Sequence, residues 1–522
     1  MRLLQQRYFH EGETTWEQVA KRTIDYVAKD EEVYDDALNQ VTERIWLPNS
    51  PALAGAGTKN GGLFACFVAG PGADTLETHL ESLKDISMVG KYGGGCGFTG
   101  TFIRGKGEPV KGSAHGKAYG PNTWAVQVSN YLDIITQGGF RKMALMYTLR
   151  SDHADLDAFI DLKQTTDEKF AYNFNQSVMA TDEWMEQAAR DRDSLPYKQL
   201  DRIAYNAWNN GEPGLLFYDT INRVTPYASS GQIIEATNPC GEEPLPEYGA
   251  CNLGSINLNH DYFFDSRNIF DYRRLEHVVR TMTTTLDLIG SRNTFPNWKF
   301  HQWYEWNRPI GIGIMGFADA LLRTNVVYGS DESCRVLEDI MSLMLTVSYD
   351  QSEILGKKLG IPEACKALNR RNATTVTVAP TGSIAQIADC SHSLEPIYAP
   401  TYIRIDERDE KYEVIHPRAR DAHFRSAIND DPSKMPTWEE HIEIQSSAQR
   451  YSDSGVSKTI NMPNTATVED VRNAMVRAWH RGCKGITVYR DGSRDVQVLT
   501  PQVRPPTDSF FDPSCPTGIC QI

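Results

Sequence analysis

The chain has 522 residues, 40% of them hydrophobic, which is enough to bury a large core, and a formal net charge of −15 from 53 basic and 68 acidic residues. That acidic balance argues against an extended phosphate-binding surface for nucleic acid, and no apolar run reaches the roughly 18 residues of a membrane-spanning helix. There is no signal-peptide-like N-terminus, and the ten cysteines are too sparse for a disulfide-scaffolded secreted domain, so a cytoplasmic protein is expected.

Residues 1–45 read as a short helical N-terminal segment, with Trp16, Val19, Ala20, Ile24 and Val27 at helical spacing. Pro48 to Gly62 reads as a loop. Leu63 to Ala69 is a short buried strand carrying Cys66. Asp74 is expected to cap a helix, because Glu77 stands at capping-box spacing and Leu76, Leu80, Leu83, Ile86 and Val89 form an apolar stripe. Gly93-Gly94-Gly95 ends it. Farther on, apolar strands at 376–379 and 486–489 alternate with helical stretches such as 468–481, the pattern of an α/β architecture. From Leu499 onward, five prolines and two cysteines without periodicity predict a flexible tail over 499–522. Two thiols on a mobile arm, Cys515 and Cys520, are an oxidation liability unless they are used.

The densest chemistry lies in Asn238-Pro239-Cys240-Gly241-Glu242-Glu243, with a second thiol, Cys251, at the head of Cys251-Asn252-Leu253-Gly254-Ser255-Ile256-Asn257-Leu258. An amide that can hold a hydroxyl, a thiol and a carboxylate base fall within five residues. On composition alone, a turn with a buried cysteine is the better reading.

The two stretches together resemble the finger loop and following strand of the ribonucleotide reductases. The resemblance implies that Cys240 holds a thiyl radical that takes the 3′-hydrogen of a ribonucleotide. It gives Glu242 the 3′-hydroxyl proton and makes Asn238 the binder of that hydroxyl. Ala65-Cys66-Phe67-Val68 is similar to the family strand that supplies one reducing thiol, and Cys251 to its partner. Loss of the 2′-hydroxyl as water consumes two electrons, which a disulfide supplies as it forms. Pro380-Thr381-Gly382-Ser383-Ile384 resembles the family's phosphate-binding turn. Ser50, in Asn49-Ser50-Pro51, and Ala65 resemble further substrate contacts. Asp74 and Arg104 resemble residues at a deoxynucleotide or ATP effector, and Gln137 to Arg141 the loop joining effector to substrate base. Cys515 and Cys520 resemble the mobile dithiol that re-reduces Cys66–Cys251 and is itself reduced by thioredoxin or glutaredoxin. Arg308 to Gly316 and Ser457 to Asn461 also match family segments and are read as structural. No metal-ligating set is expected.

The implied fold is an α/β, ten-stranded barrel of two five-stranded halves over 46–498, threaded by the Cys240 loop. A homodimer is expected, formed at the helix from Asp74. Segment 1–45 is too short for the family's ATP cone, so none is expected. Residues 248–258 and 482–494 resemble adenosylcobalamin-dependent members. Tyr489 stands alone where metal-dependent large subunits carry two adjacent tyrosines to relay the radical. The Cys515/Cys520 spacing resembles those metal-dependent subunits and tips the expectation toward a separate di-metal, ferritin-like, radical-generating subunit, with adenosylcobalamin the other source. No glycyl-radical motif is present. The alternative function, a nucleotide-binding regulatory paralogue without chemistry, is opposed by the intact Asn238/Cys240/Glu242 and Cys66/Cys251 sets.

Overall fold

The computed structural model describes residues 2–59, 61–70, 73–132, 136–137, 141–164, 174–405, 411–429 and 431–493. Runs such as Ile310-Gly311-Ile312-Gly313-Ile314-Met315 have no polar alternation, so a sheet with one wet face cannot accommodate them. They are covered on both faces: every residue of Ile310–Met315 and of Ala250–Asn257 is buried.

Ten strands join one sheet. They are β1 (Trp46–Pro48), β2 (Cys66–Val68), β3 (Gly95–Thr99), β4 (Leu145–Arg150), β5 (Asn175–Ala180), β6 (Gly214–Phe217), β7 (Ala250–Asn257), β8 (Ile310–Met315), β9 (Thr459–Met462) and β10 (Gly485–Arg490). β2 to β6 pair parallel in chain order. β7 runs parallel to β8, and β9 to β10. The two sets meet antiparallel twice, β6 against β10 and β2 against β7. Segment 374–378 spans the gap between β8 and β9. Ile312 bridges Val376 and Val378 bridges Val456, both in parallel. Ile312 N donates to Thr375 O at 2.8 Å and Ser457 N to Val378 O at 2.9 Å. The ring therefore closes as two five-membered parallel halves, with 374–378 as the tenth stave and β1 added outside it along β7.

The expected strand at 376–379 is present only as these bridges. The helix after residue 73 starts one residue later than its spacing suggests. Thr75 is the N-cap of Leu76–Lys91, accepting from Thr78 N at 3.2 Å. Asp74 instead turns its carboxylate to the backbone N–H of Arg104, at 3.2 Å, and to the Arg104 guanidinium. A threonine hydroxyl is a somewhat weaker cap than a carboxylate, but here the Asp74 carboxylate is taken up by Arg104. In the N-terminal helix Trp16–Ala28, Val19, Ile24 and Val27 sit in the same apolar core as the barrel. Among the described residues no helix is long and apolar enough to cross a membrane.

A short hairpin, Ala236–Thr237 paired with Pro244–Leu245, enters the ring. Glycine clears its path. A Cβ on Gly97 would stand 1.7 Å from Thr237 O, and one on Gly455 2.7 Å from Gly241 O. The loop is pinned on several sides. Asn175 Nδ2 donates to Pro239 O (2.8 Å), Gly455 N to Glu242 O (2.6 Å) and Thr377 Oγ1 to the same oxygen (3.0 Å).

The closing stave has its own anchor. Asp287, on helix Tyr272–Arg292 and 1% exposed, accepts from Arg308 Nε and Arg371 Nε, both at 2.9 Å, and from Asn372 Nδ2 at 3.0 Å. Asp287→Ala is expected to destabilise the fold by about 3–5 kcal/mol, because it removes the one buried carboxylate that Arg308 Nε, Arg371 Nε and Asn372 Nδ2 share and leaves Arg308 only the half-exposed Glu305 as a counter-charge. Urea unfolding measures this, and a loss below about 1 kcal/mol, the value of an exposed pair, contradicts it.

Candidate active site

The hairpin tip is a four-residue turn: Gly241 N donates to Asn238 O at 3.1 Å. Asn at the first position, Pro at the second and Gly at the fourth are the preferences of a type I turn. Cys240 occupies the third position, so local sequence alone projects its side chain from the tip.

Cys66 and Cys251 are direct partners across the antiparallel junction of β2 and β7. Residues so opposed lie ~4.5–5.5 Å apart at Cα. A disulfide spans ~4.4–6.8 Å, so the pair can bond without backbone movement. Both are buried free thiols. Asn238 Nδ2 donates to Cys66 Sγ at 3.2 Å, and Cys66 Sγ to Glu242 Oε1 at 3.9 Å. Asn238 Oδ1 accepts from Glu243 N at 2.9 Å, which fixes the amide orientation.

Burial first, then the charges of Glu242, Glu243, Cys251 and Cys240, push the Cys66 thiol well above its ordinary range. Burial and then Glu243 do the same to Cys251. Both sulfurs are thereby kept protonated, the form that can donate hydrogen. Glu242 is 2% exposed, and burial raises its carboxyl to about 7. Its Oε2 has no hydrogen-bond partner among the described residues. Cys240 is half-buried and lines a narrow cleft with Asn175, Gln445, Lys458 and Lys484.

The other expected residues fall into separate groups. Thr381 takes a left-handed conformation, φ 63°, and its Oγ1 accepts from Ser393 N at 2.7 Å. Pro380 leads out of the closing stave into this turn, Gly382 and Ile384 are buried within it, and Ser383 Oγ accepts from Arg7 Nη1 at 3.3 Å. Ser50 Oγ hydrogen-bonds Tyr8 OH at 2.8 Å, and Asn49 N donates to Leu253 O on β7 at 2.8 Å. Arg7 and Tyr8 thus tie the 380–384 turn to the Ser50 loop, and that loop to the strand bearing Cys251. Neither residue was marked by the sequence: Arg7 ends the short helix Arg2–Arg7 and Tyr8 follows it, ahead of the apolar stripe that begins at Trp16. Ala65 O accepts from Gly95 N at 2.8 Å, beside Cys66.

Asp74 and Arg104 pair with each other in a second cleft, shared with Glu108, Arg150, Asp152 and His153. Gln137 pairs with Arg141 in a two-residue antiparallel ladder. Residues 138–140 lie outside the described residues. Tyr489 is half-buried on β10, and after burial itself it is Tyr489 that raises the Tyr398 hydroxyl. Cys515 and Cys520 lie outside the described residues. Cys96, Cys365 and Cys483 are buried packing thiols. Among the described residues no cluster of three His, Cys, Asp or Glu could hold a metal.

Sequence reasoning missed three titratable neighbours of the site. Glu243 is fully buried, Lys484 lines the Cys240 cleft, and Lys458, in a segment read as structural, forms a buried ion pair with Glu395 at 2.6 Å.

Comparison with known proteins agrees with this geometry. The family model described as "Ribonucleotide reductase, barrel domain" matches residues 64–195, 194–366 and 361–489. A vitamin B12-dependent ribonucleoside-diphosphate reductase of Thermoplasma acidophilum is 37% identical, covering 91% of this chain and 70% of the relative. One from Mycobacterium tuberculosis is 33% identical, covering 91% and 75%. The solved class Id ribonucleotide reductase alpha subunit of Actinobacillus ureae superposes with a TM-score of 0.80 at 20% identity, over 94% of this chain and 96% of that one. The chain belongs to the ribonucleotide reductases, as a catalytic large subunit built on their barrel.

Proposed function

We propose that the chain reduces ribonucleoside diphosphates at the Cys240 tip, with Cys66 and Cys251 as the two-electron donor. A Cys240 thiyl takes the 3′-hydrogen. Glu242 accepts the 3′-hydroxyl proton while Asn238 holds that oxygen. The 2′-hydroxyl leaves as water with a proton from one of the paired thiols. The pair closes to a disulfide, and Cys240 returns the 3′-hydrogen. One observation carries this reading: the unpartnered Glu242 Oε2 is buried beside Asn238 and Cys66, so a polar atom waits for a hydroxyl the protein does not supply. The Thr381–Ile384 turn and Ser50 are assigned to the substrate phosphates and ribose. Asp74, Arg104, Gln137 and Arg141 are assigned to a deoxynucleotide effector, and Cys515 and Cys520 to re-reduction through thioredoxin or glutaredoxin. A homodimer remains part of the reading.

The tail spacing pointed to a separate di-metal subunit. That preference finds no support in the relatives at 37% and 33% identity, whose names state vitamin B12 dependence. Adenosylcobalamin is therefore the assigned radical source, and when bound it supplies the organic radical that activates Cys240. The cleft beside Cys240 is the place where the adenosyl end of the cofactor would approach the tip sulfur. Asn175 and Gln445, whose Oε1 is buried without a partner among the described residues, would hold it. Purified chain with CDP, dithiothreitol and a deoxynucleotide effector should form dCDP only when adenosylcobalamin is added. Product without it, or product that requires a di-metal partner protein, overturns the assignment.

A further inference from the structure

Beside the site lies a second buried carboxyl that the hydrogen-abstraction chemistry leaves unused. Glu243 is fully buried, yet its Oε1 has no hydrogen-bond partner among the described residues. Its other oxygen accepts from Ser454 Oγ at 3.3 Å. The carboxyl lies against the Cys251 thiol. The titratable groups that face it are Glu242 beside it in the chain, Cys66 on β2, Cys251 on β7, Tyr227, and Lys484 at the start of β10. Lys484 Nζ is fixed on Ser454 O at 2.8 Å and is the one amine in this set; burial lowers it to about 8. Burial, then the charge of Glu242, raises the Glu243 carboxyl to about 8. At neutral pH it therefore holds a proton in an apolar setting, next to a sulfur.

We propose that Glu243 is the acid that protonates Cys251 when the Cys66–Cys251 disulfide is reopened between turnovers. This rests on the assignment of those cysteines as the redox pair. A reductant thiolate attacks Cys66, the slightly more accessible sulfur at 3% exposure against 0% for Cys251. The S–S bond breaks, a mixed disulfide forms at Cys66, and Cys251 leaves as a thiolate. A thiolate in this dry pocket is costly, and the Glu243 proton passes to it, leaving a carboxylate opposed by Lys484. The second thiol of the reductant, as its thiolate, then displaces Cys66, which takes up the proton that thiol released, and the proton released by the first thiol returns through solvent to Glu243. The dithiol is oxidised by two electrons, and two S–H groups are restored.

The test uses the full chain, oxidised chemically at the pair and then mixed with dithiothreitol. Iodoacetamide quenching and mass spectrometry count the free Cys66 and Cys251 thiols over time, from pH 6 to 9.5. In the wild type the rate should rise with thiolate and then bend down near pH 8 as Glu243 ionises. Glu243→Gln should reopen about 10²-fold more slowly at pH 7. It should also lack the bend, while a pre-reduced sample still makes one deoxynucleotide per chain. Partial recovery in Glu243→Asp is expected. A wild-type profile without the bend, or equal rates in wild type and Glu243→Gln, overturns the proposal, and the first outcome needs no variant to fold. If instead wild type completes a turnover with both thiols still free, it is the redox-pair assignment that falls.

Discussion

Cys240→Ala is expected to yield no deoxynucleotide at all, in single or multiple turnover, with the barrel intact. The tip turn is set by Asn238, Pro239 and Gly241 and by contacts through backbone oxygens of Pro239 and Glu242, none of which involves the Cys240 side chain. The substitution therefore removes one sulfur and little packing. No other described thiol can substitute. Cys66 and Cys251 lie in the same cluster, but burial, with Glu242 and Glu243 beside them, holds them as thiols, and in the proposed scheme their hydrogens are consumed in the reduction. Cys515→Ala should differ in kind: pre-reduced protein makes one product per chain and then stops. Rapid-quench product counts separate the two cases, and residual single-turnover product in Cys240→Ala refutes the tip assignment.

Glu242→Gln is expected to lower the rate by about 10²–10⁴-fold, the range for loss of a positioned proton acceptor. In the wild type the carboxylate is the active form. With burial raising Glu242 to about 7, turnover should climb with pH through that value, and the variant should lose the climb. Stability moves the other way. A carboxyl raised on folding holds more protons in the native state, so its contribution is complete below about 4.5 and is lost as pH rises through about 7. Glu242→Gln should therefore gain stability over wild type between pH 5 and 8 while losing activity. Parallel urea titrations and rate profiles check both signs, and a flat wild-type rate profile contradicts the acceptor role.

Local sequence wrote a turn with a cysteine at its tip; the proposed roles of Asn238, Cys240 and Glu242 came from the family resemblance. Asn238 and Cys240 share one four-residue turn whose residue preferences fix its shape, and Glu242 follows it directly. Cys66 and Cys251 could be paired only through the family resemblance, because 185 positions separate them and no periodicity in the sequence states that β2 and β7 are neighbours. Glu243 read as one more acid in a polar run, since burial of a carboxyl depends on Ser454, Lys484 and Tyr227 arriving from elsewhere. Asp74 was misread as a cap because an ion pair to Arg104, thirty residues on, outcompeted its local role. The α/β class followed from apolar strands alternating with helical stretches, and the ten-stranded barrel only from the family resemblance; the closing stave 374–378 is held by Asp453, which accepts from Thr375 N and Val376 N, and by bridges to both neighbours rather than by a long apolar stretch of its own.

The placement of the thiol pair at one of the two antiparallel junctions bears on mechanics. Side chains already opposed in register can store and release electrons without any stave sliding past its neighbour. Oxidised and reduced enzyme should then show matching amide-exchange protection along β2 and β7, so that departure of product, rather than relaxation of the scaffold, governs when a reductant gains entry.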